Sequence, residues 1–229
     1  MEGLGTTGFW KIAEENRDRL AIADPDYNEI SFGELYDLVN QITHGLRGMG
    51  LSPGDHISTT LPNCIEQVAL CLAAYQSGYY VTTINFHLVG PEIAYILGNA
   101  ESKAYVTHER FAHESQRALE EAGLDASRAF AIGEVEGFRR FAELIEGQPK
   151  ERPEDVSSGS IMFYTSGTTG RPKGVRRALD SRHPDEVASG SGMLFLLFGI
   201  MPHDNHVEIT QAPTYHTAVN NWTTTALHW

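Results

Sequence analysis

Residues 160–174 read SIMFYTSGTTGRPKG. The first five, Ser160 to Tyr164, are mostly apolar and predict a short buried strand. The glycines that follow permit positive φ angles, so successive backbone N–H groups can converge on an anion, and the hydroxyls and the lysine add donors and positive charge. The stretch therefore predicts a phosphate-binding loop at the carboxyl end of a strand, where open α/β sheets bind their ligands.

The spacing of the glycines and the lysine distinguishes this loop from two better-known phosphate-binding motifs. A Walker A loop needs Gly-x-x-x-x-Gly-Lys-Ser/Thr, whereas Gly167 and Gly170 are three residues apart and Lys173 is followed by Gly174. The loop is not the dinucleotide fingerprint either, because that motif needs Gly-x-Gly-x-x-Gly at the start of a helix. A stretch rich in Gly, Ser and Thr is also typical of a flexible linker. A linker, however, would not need an apolar strand before it or a lysine at a set distance after it.

Residues Tyr164 to Gly174 resemble the signature loop of the adenylate-forming superfamily, which includes acyl-CoA synthetases, luciferases and the adenylation domains of peptide synthetases. The resemblance implies that the loop wraps the β- and γ-phosphates of ATP while a carboxylate attacks the α-phosphorus, which yields an acyl-adenylate and pyrophosphate. It implies that Thr165 contacts the nucleotide and helps to place its Mg²⁺. It assigns phosphate binding to Ser166, Gly167, Thr168, Thr169, Gly170 and Lys173. Such chemistry depends mostly on positioning and charge neutralisation, which these residue types supply.

A second segment, Gln211 to Ala218, is similar to the Pro-x-aromatic-His motif of the same superfamily. An isolated histidine near a proline commonly serves as a cap or a hydrogen-bonding group. In the superfamily this motif lines the acyl pocket, so the resemblance implies that His216 binds the acid substrate. Asn220 and Trp222 are candidates for the border of the same pocket, although an aromatic residue in an apolar helix is usually part of the core.

Strand and helix patterns alternate along the chain. Ser31 and Glu34 have the spacing of a capping box before a long amphipathic helix, and a second helix is predicted to start after Asn63 and to end at Gly78. Residues Asn85 to Leu97 resemble another stretch of the superfamily and predict a short helix packed on a sheet. Strands are predicted at His56–Thr60, Tyr79–Ile84, Lys103–Val106 and Ala129–Ile132. This order predicts an α/β fold of layered, largely parallel sheets flanked by helices.

Composition excludes several function classes. The 229 residues carry a formal net charge of −13 and show no basic stripe, which argues against a nucleic-acid partner. The longest apolar run, Met193 to Met201, is too short to cross a bilayer. The start of the chain has no signal-peptide pattern, so we expect a cytoplasmic protein.

Cys64 and Cys71 lie two helical turns apart, about 10 Å, which is too far for a disulfide.

The resemblance also defines what these 229 residues lack. They contain no match to the Tyr-Gly-x-Thr-Glu motif, to the aspartate that binds ribose or to the catalytic lysine of the C-terminal lid domain. We therefore expect residues 1–229 to be the N-terminal part of the large AMP-binding domain, incomplete at its C-terminus and inactive alone. The catalytic residues are unknown. Exposed apolar faces on such a piece predict self-association or close dimers.

Two hypotheses of different class follow. In the first, the chain is the N-terminal part of an enzyme that activates a carboxylic acid, expected to be a fatty acid, first to the acyl-adenylate and then to acyl-CoA, with ATP, Mg²⁺ and CoA. In the second, the chain is a non-catalytic module that binds a nucleotide or a partner. The sequence leaves the length of the acyl chain open.

Overall fold

The computed structural model of the protein describes residues 6–165, 172–202 and 205–229. Thr165 and Lys173 are among them. Five of the predicted phosphate-binding residues lie outside these ranges: Ser166, Gly167, Thr168, Thr169 and Gly170. The structure therefore shows where the chain enters and leaves the predicted loop.

Helices and strands alternate along the described residues, as the sequence predicts. The helices are α1 (Phe9–Glu15), α2 (Phe32–Gly48), α3 (Ile65–Ser77), α4 (Gly90–Asn99), α5 (Ala112–Ala122), α6 (Ala142–Ile145), α7 (Pro184–Ser191), α8 (Met193–Leu196) and α9 (Thr217–Ala226). The strands are β1 (Leu20–Ala23), β2 (Glu29–Ser31), β3 (His56–Thr60), β4 (Tyr80–Thr83), β5 (Ser102–His108), β6 (Ala129–Ile132), β7 (Arg139–Arg140), β8 (Ser160–Ile161), β9 (Phe163–Thr165) and β10 (Lys173–Val175).

A parallel sheet forms the centre of the described part of the fold. Its strand order is β7-β6-β5-β3-β4-β8, and every neighbouring pair is parallel. Helices α1, α2 and α3 pack on one face, where they share a core with Ala104 and Val106 of β5. Helices α4 and α5 pack on the other face around Tyr105, the residue between those two. This alternation confirms the predicted α/β class, because successive side chains of a strand point to opposite faces.

Two helix boundaries follow directly from local sequence. The Ser31 hydroxyl accepts a hydrogen bond from the Glu34 amide at 3.2 Å, and the Glu34 carboxylate accepts one from the Ser31 amide at 2.9 Å. These two bonds form the predicted capping box and satisfy amides that the first helical turn cannot pair. Helix α3 ends at Gly78, whose φ of 71° lies in the left-handed region that glycine adopts without strain.

Two expectations about element boundaries were wrong. Helix α3 begins after Cys64, which makes no side-chain cap, and Asn63 does not cap it. Asn63 instead binds the distant segment that precedes α9. The run Ser160 to Tyr164 is not one strand either, because the chain leaves the parallel sheet at Met162 and starts an antiparallel hairpin. Both cysteines are free thiols, as the spacing predicts.

Several large apolar side chains are exposed near the end of the chain. Leu197 and Phe198 are 81% and 64% exposed, and Val207 and Ile209 are 85% and 71% exposed. Exposed apolar surface was expected, and self-association through it stays a prediction. No helix in the described ranges has the length and apolar character that a membrane span requires.

The start of helix α1 is attached to the last residues of the chain. The Gly8 amide donates to the His228 carbonyl at 2.7 Å, and the Phe9 amide donates to His228 Nδ1 at 3.1 Å. The imidazole is buried and lies 5.9 Å from the Trp10 ring. Burial lowers the pKa of His228 to about 4, although Asp185 opposes the shift. The neutral ring is therefore the form that holds α1 in place.

We expect acid to weaken the fold through His228. The unfolded chain takes up this proton near pH 6.5 and the folded chain only near pH 4, so stability present above pH 6.5 is lost as the pH falls towards 4. The loss attributable to this side chain is about 3 kcal/mol at most. It can be measured as the free energy of unfolding in urea at a series of pH values. His228→Asn keeps an acceptor and should flatten the profile, whereas the exposed His87→Asn should not.

An identical fall in stability between pH 7 and pH 4.5 in the wild type and in His228→Asn would contradict this assignment. His56 contributes in the same direction in both proteins, because burial and the neighbouring Arg176 lower its pKa to about 4. The comparison between the variant and the wild type cancels that contribution.

Candidate functional site

The antiparallel hairpin β9–β10 carries the two described residues of the predicted phosphate site. Thr165 pairs with Lys173, and this is the last pair before the loop. The Thr165 hydroxyl donates to the Lys173 carbonyl at 3.5 Å, and both side chains are exposed. Gly174 pairs with Tyr164, and a Cβ at Gly174 would lie 2.2 Å from the Met162 methyl group. The glycine thus lets the two strands close behind the loop.

The hairpin is attached to helix α4 by two tyrosines. Tyr164 Oη donates to Asn99 Oδ1 at 2.7 Å. Tyr95 Oη donates to the Pro172 carbonyl at 3.3 Å. Burial, with a smaller contribution from the neighbouring Tyr95, raises the pKa of Tyr164 to about 12, so the phenol stays a donor at neutral pH. Both ends of the loop are therefore fixed to the same helix.

At the carboxyl ends of β3 and β5, the chain leaves two neighbouring strands towards opposite faces of the sheet. β3 leads into α3 on one face, and its neighbour β5 leads into α5 on the other face. Ligands of open α/β sheets bind where neighbouring strands diverge in this way. Because β8 lies beside β4 in the same parallel sheet, the hairpin that follows β8 belongs to this edge as well.

An aromatic cluster occupies this edge. Phe86, which follows β4, stacks on Phe111, which follows β5, with ring centroids 4.8 Å apart and planes 9° apart. Tyr215 meets Phe86 edge-on at 5.0 Å. Burial and the nearby Arg110 lower the pKa of His108, whose Nδ1 accepts from the Arg110 amide. The cluster offers flat apolar surface, which suits the carbon skeleton of a ligand.

His216 lies beside this cluster at the start of helix α9. Its ring is exposed and lies 4.4 Å from the ring of Tyr215. The segment that carries it is attached to the ends of β3 and β4. Asn63 Oδ1 accepts from the Thr214 amide at 2.8 Å, and the Thr83 hydroxyl donates to the Tyr215 carbonyl at 3.2 Å. The sheet thereby holds the predicted substrate residue at its carboxyl edge.

A cavity of about 460 Å³ lies next to Thr214, in the segment that carries His216. It is bordered by the β1–β2 hairpin and by residues 206–210. Asn63 and Thr214 form part of its wall, so it borders the segment that carries His216. The apolar part of its wall includes Ile22, Phe32, Val68, Ile209 and Leu227. A cavity of this volume and lining suits the apolar part of a small molecule.

The two candidate border residues, Asn220 and Trp222, make other contacts. Asn220 is buried, accepts from the Tyr75 hydroxyl at 3.2 Å and donates to Cys71 Sγ at 3.4 Å, so it joins α9 to α3. Trp222 donates to Glu208 at 3.0 Å and packs against the ring of Phe195 at 4.7 Å. Asn220 therefore serves the packing of the helix.

The predicted metal residue, Thr165, provides one exposed hydroxyl oxygen. In the described parts of the chain, no group of three His, Cys, Asp or Glu side chains could hold a metal ion. Mg²⁺ in nucleotide sites is usually bound by one or two protein ligands and by the phosphates of the substrate. Thr165 fits the role of one such ligand to an ion that the nucleotide carries.

Several residues that shape this site were not predicted as functional, among them Asn63, Tyr95, Asn99 and Phe111. Tyr95 lies in a stretch that the resemblance singled out, but only as architecture. Asn63 and Asn99 act on residues 151 and 65 positions away in the chain. Short-range spacing carries no signal for contacts of that length.

The described fold agrees with comparisons to known proteins. The family model described as "AMP-binding enzyme" matches residues 9–225. The 3-oxocholest-4-en-26-oate–CoA ligase of Rhodococcus rhodochrous is 30% identical over 170 residues, which are 69% of this chain and 30% of that protein. The long-chain-fatty-acid–CoA ligase FadD13 of Mycobacterium tuberculosis is 26% identical over 157 residues, 67% of this chain and 30% of that protein.

A solved structure shows the same fold. The N-terminal domain of FACL13 from Mycobacterium tuberculosis superposes with a TM-score of 0.70 and 18% identity, over 97% of this chain and 55% of that one. The matched part of the chain spans about 30% of the length of each of these two curated relatives. The family model covers nearly the whole chain, and the protein therefore belongs to the AMP-binding enzyme family.

Proposed function

We propose that this chain supplies the phosphate-binding hairpin and part of the acid-binding surface of an AMP-forming acyl-CoA ligase. The observation that carries the proposal is the pairing of Thr165 with Lys173 at the base of a glycine-rich loop, at the carboxyl edge of a parallel sheet. Membership of the AMP-binding enzyme family supports it. The reaction class is the activation of a carboxylic acid by ATP, followed by transfer of the acyl group to CoA.

In the first step, Lys173 places its ammonium group near the β- and γ-phosphates of ATP. The carboxylate of the acid attacks the α-phosphorus, the bond to the bridging oxygen breaks, and pyrophosphate leaves with the additional negative charge. A fixed positive charge and fixed donors stabilise that charge as it develops. Mg²⁺ would neutralise part of the triphosphate charge, with Thr165 as one of its ligands.

On the acid side, His216 and the aromatic cluster of Phe86, Phe111 and Tyr215 form the surface that meets the substrate. The cavity bordered by Asn63 and Thr214 offers room for its apolar part. The two relatives are ligases for 3-oxocholest-4-en-26-oate and for long-chain fatty acids, which supports a large apolar acid. In the second step, the thiol of CoA attacks the acyl carbonyl of the adenylate, and AMP leaves.

Residues 1–229 alone are expected to bind Mg²⁺–ATP but not to adenylate an acid. They contain no match to the family motifs for the Mg²⁺ glutamate, the ribose aspartate or the catalytic lysine. Two measurements on the purified chain check this: calorimetric titration with Mg²⁺–ATP and the carboxylate-dependent exchange of pyrophosphate into ATP. Exchange above the background without enzyme would contradict the expected inactivity. Absence of ATP binding at millimolar concentration would contradict the proposed function itself.

A further inference from the structure

The hairpin β9–β10 has little internal stability of its own. Each strand contributes three residues to the pairing. A two-stranded ribbon of this size is marginal in water, so its position depends on what holds it against the rest of the fold. Among the residues that the structure describes, two side-chain hydrogen bonds do so beside the loop: Tyr164 to Asn99 on the incoming strand and Tyr95 to the Pro172 carbonyl on the outgoing side.

Helix α4, which supplies Tyr95 and Asn99, is firmly packed. Ile93, Ile96 and Leu97 on its inner face are at most 2% exposed and belong to the core on that side of the sheet. Tyr95 and Tyr164 pack against the same core. The rings are thus held by the core. The Tyr95 hydroxyl reaches from α4 to the outgoing end of the loop, and the Tyr164 hydroxyl reaches from the incoming strand to Asn99 of α4.

A third tyrosine fixes the chain beyond the hairpin. Tyr80 Oη donates to the Arg177 carbonyl at 2.6 Å, and the Arg176 guanidinium lies 4.4 Å from the centre of the Tyr80 ring. This contact holds the far end of the hairpin at the start of β4. At the loop end, the hydrogen bonds to helix α4 found among the described residues are those of Tyr95 and Tyr164.

We propose that Tyr95 and Tyr164 are positioning residues, which fix the hairpin to helix α4 so that Thr165 and Lys173 meet the phosphates of a nucleotide. The part of this inference that concerns nucleotide binding rests on the proposed function. The other part, that the two tyrosines hold the hairpin against helix α4, does not depend on that function. Neither tyrosine touches the reacting atoms in this account.

The test uses the 229-residue chain with Tyr95→Phe, Tyr164→Phe and the double variant, which remove the hydroxyls and keep the rings. Amide hydrogen exchange is followed by mass spectrometry in peptides that cover residues 163–175, and Mg²⁺–ATP affinity is measured by calorimetry. Each single variant should raise exchange there about fivefold and the double variant more than tenfold, because each loses one hydrogen bond that opposes local opening. ATP affinity should fall as well, and most in the double variant, because only the closed hairpin presents Thr165 and Lys173 to the nucleotide.

Tyr79→Phe is the matched control, since the buried Tyr79 hydroxyl also donates to a carbonyl, that of Leu51 at 3.2 Å. It should lower the urea midpoint at least as much as Tyr95→Phe without changing exchange in residues 163–175. Unchanged exchange in the double variant would overturn the inference. So would raised exchange with unchanged ATP affinity. If the wild type bound no ATP, the proposed function would fall, and the exchange data would still decide whether the tyrosines hold the hairpin.

Discussion

Replacing Lys173 by Ala is expected to weaken Mg²⁺–ATP binding by the 229-residue chain about ten- to hundredfold. Lys173 is a charged side chain at the base of the loop, and its exposed ammonium group can turn towards a triphosphate. A hydrogen bond to a charged group contributes about 1.5–3 kcal/mol, which corresponds to this range of affinity. In an intact enzyme with the same hairpin, the loss should also slow adenylation, because the charge on the departing pyrophosphate would be stabilised less.

Calorimetric titration of both proteins with Mg²⁺–ATP measures the effect. Lys173→Arg keeps the positive charge and should retain most of the affinity. Lys103→Ala removes one charge from an exposed position on strand β5 and controls for the change in net charge. Equal affinities in Lys173→Ala and Lys103→Ala would show that this lysine does not bind the triphosphate.

Replacing Gly159 by Ala is expected to destabilise the fold by about 3 kcal/mol, because the added methyl group has no room. A Cβ at this position would lie 2.1 Å from the Ala74 carbonyl oxygen and 2.4 Å from that of Tyr79. Both neighbours are backbone atoms at the end of α3 and the start of β4, so neither can turn away. Gly159 also donates to the Tyr75 carbonyl at 2.9 Å, just before strand β8 joins the sheet.

The free energy of unfolding in urea measures this cost. Gly98→Ala is the matched control, because a Cβ at Gly98 in helix α4 would meet nothing within 4 Å. Alanine is a better helix former than glycine, so this control should be neutral or gain up to about 1 kcal/mol. A Gly159→Ala protein as stable as the wild type would show that β8 does not approach α3 as closely as described.

Much of the fold could be predicted because its signals are local. The capping box of Ser31 and Glu34 and the left-handed glycine at 78 each depend on residues a few positions apart. The run that became β6 is short and apolar, and the run that became β3 is rich in β-branched residues and follows the turn residues Ser52 to Asp55. Alternation of such elements is enough to indicate a parallel sheet with helices on both faces.

The arrangement of the candidate site could not be predicted in the same way. Asn63 has the spacing of a helix cap, yet its amide group binds Thr214 and the Ala212 carbonyl, where it satisfies backbone groups of a segment far along the chain. The break at Met162 also has a distant cause, since β8 pairs with β4 for only two residues before the hairpin begins. Local propensity gave way to tertiary contacts at both places.

The most direct test of this account is a crystal structure of the 229-residue chain grown with ATP and Mg²⁺. We expect the triphosphate at the loop of hairpin β9–β10, with the Lys173 ammonium group within hydrogen-bonding distance of a β- or γ-phosphate oxygen and Thr165 beside the metal ion. A triphosphate bound elsewhere on the molecule, with this hairpin free of ligand, would contradict it.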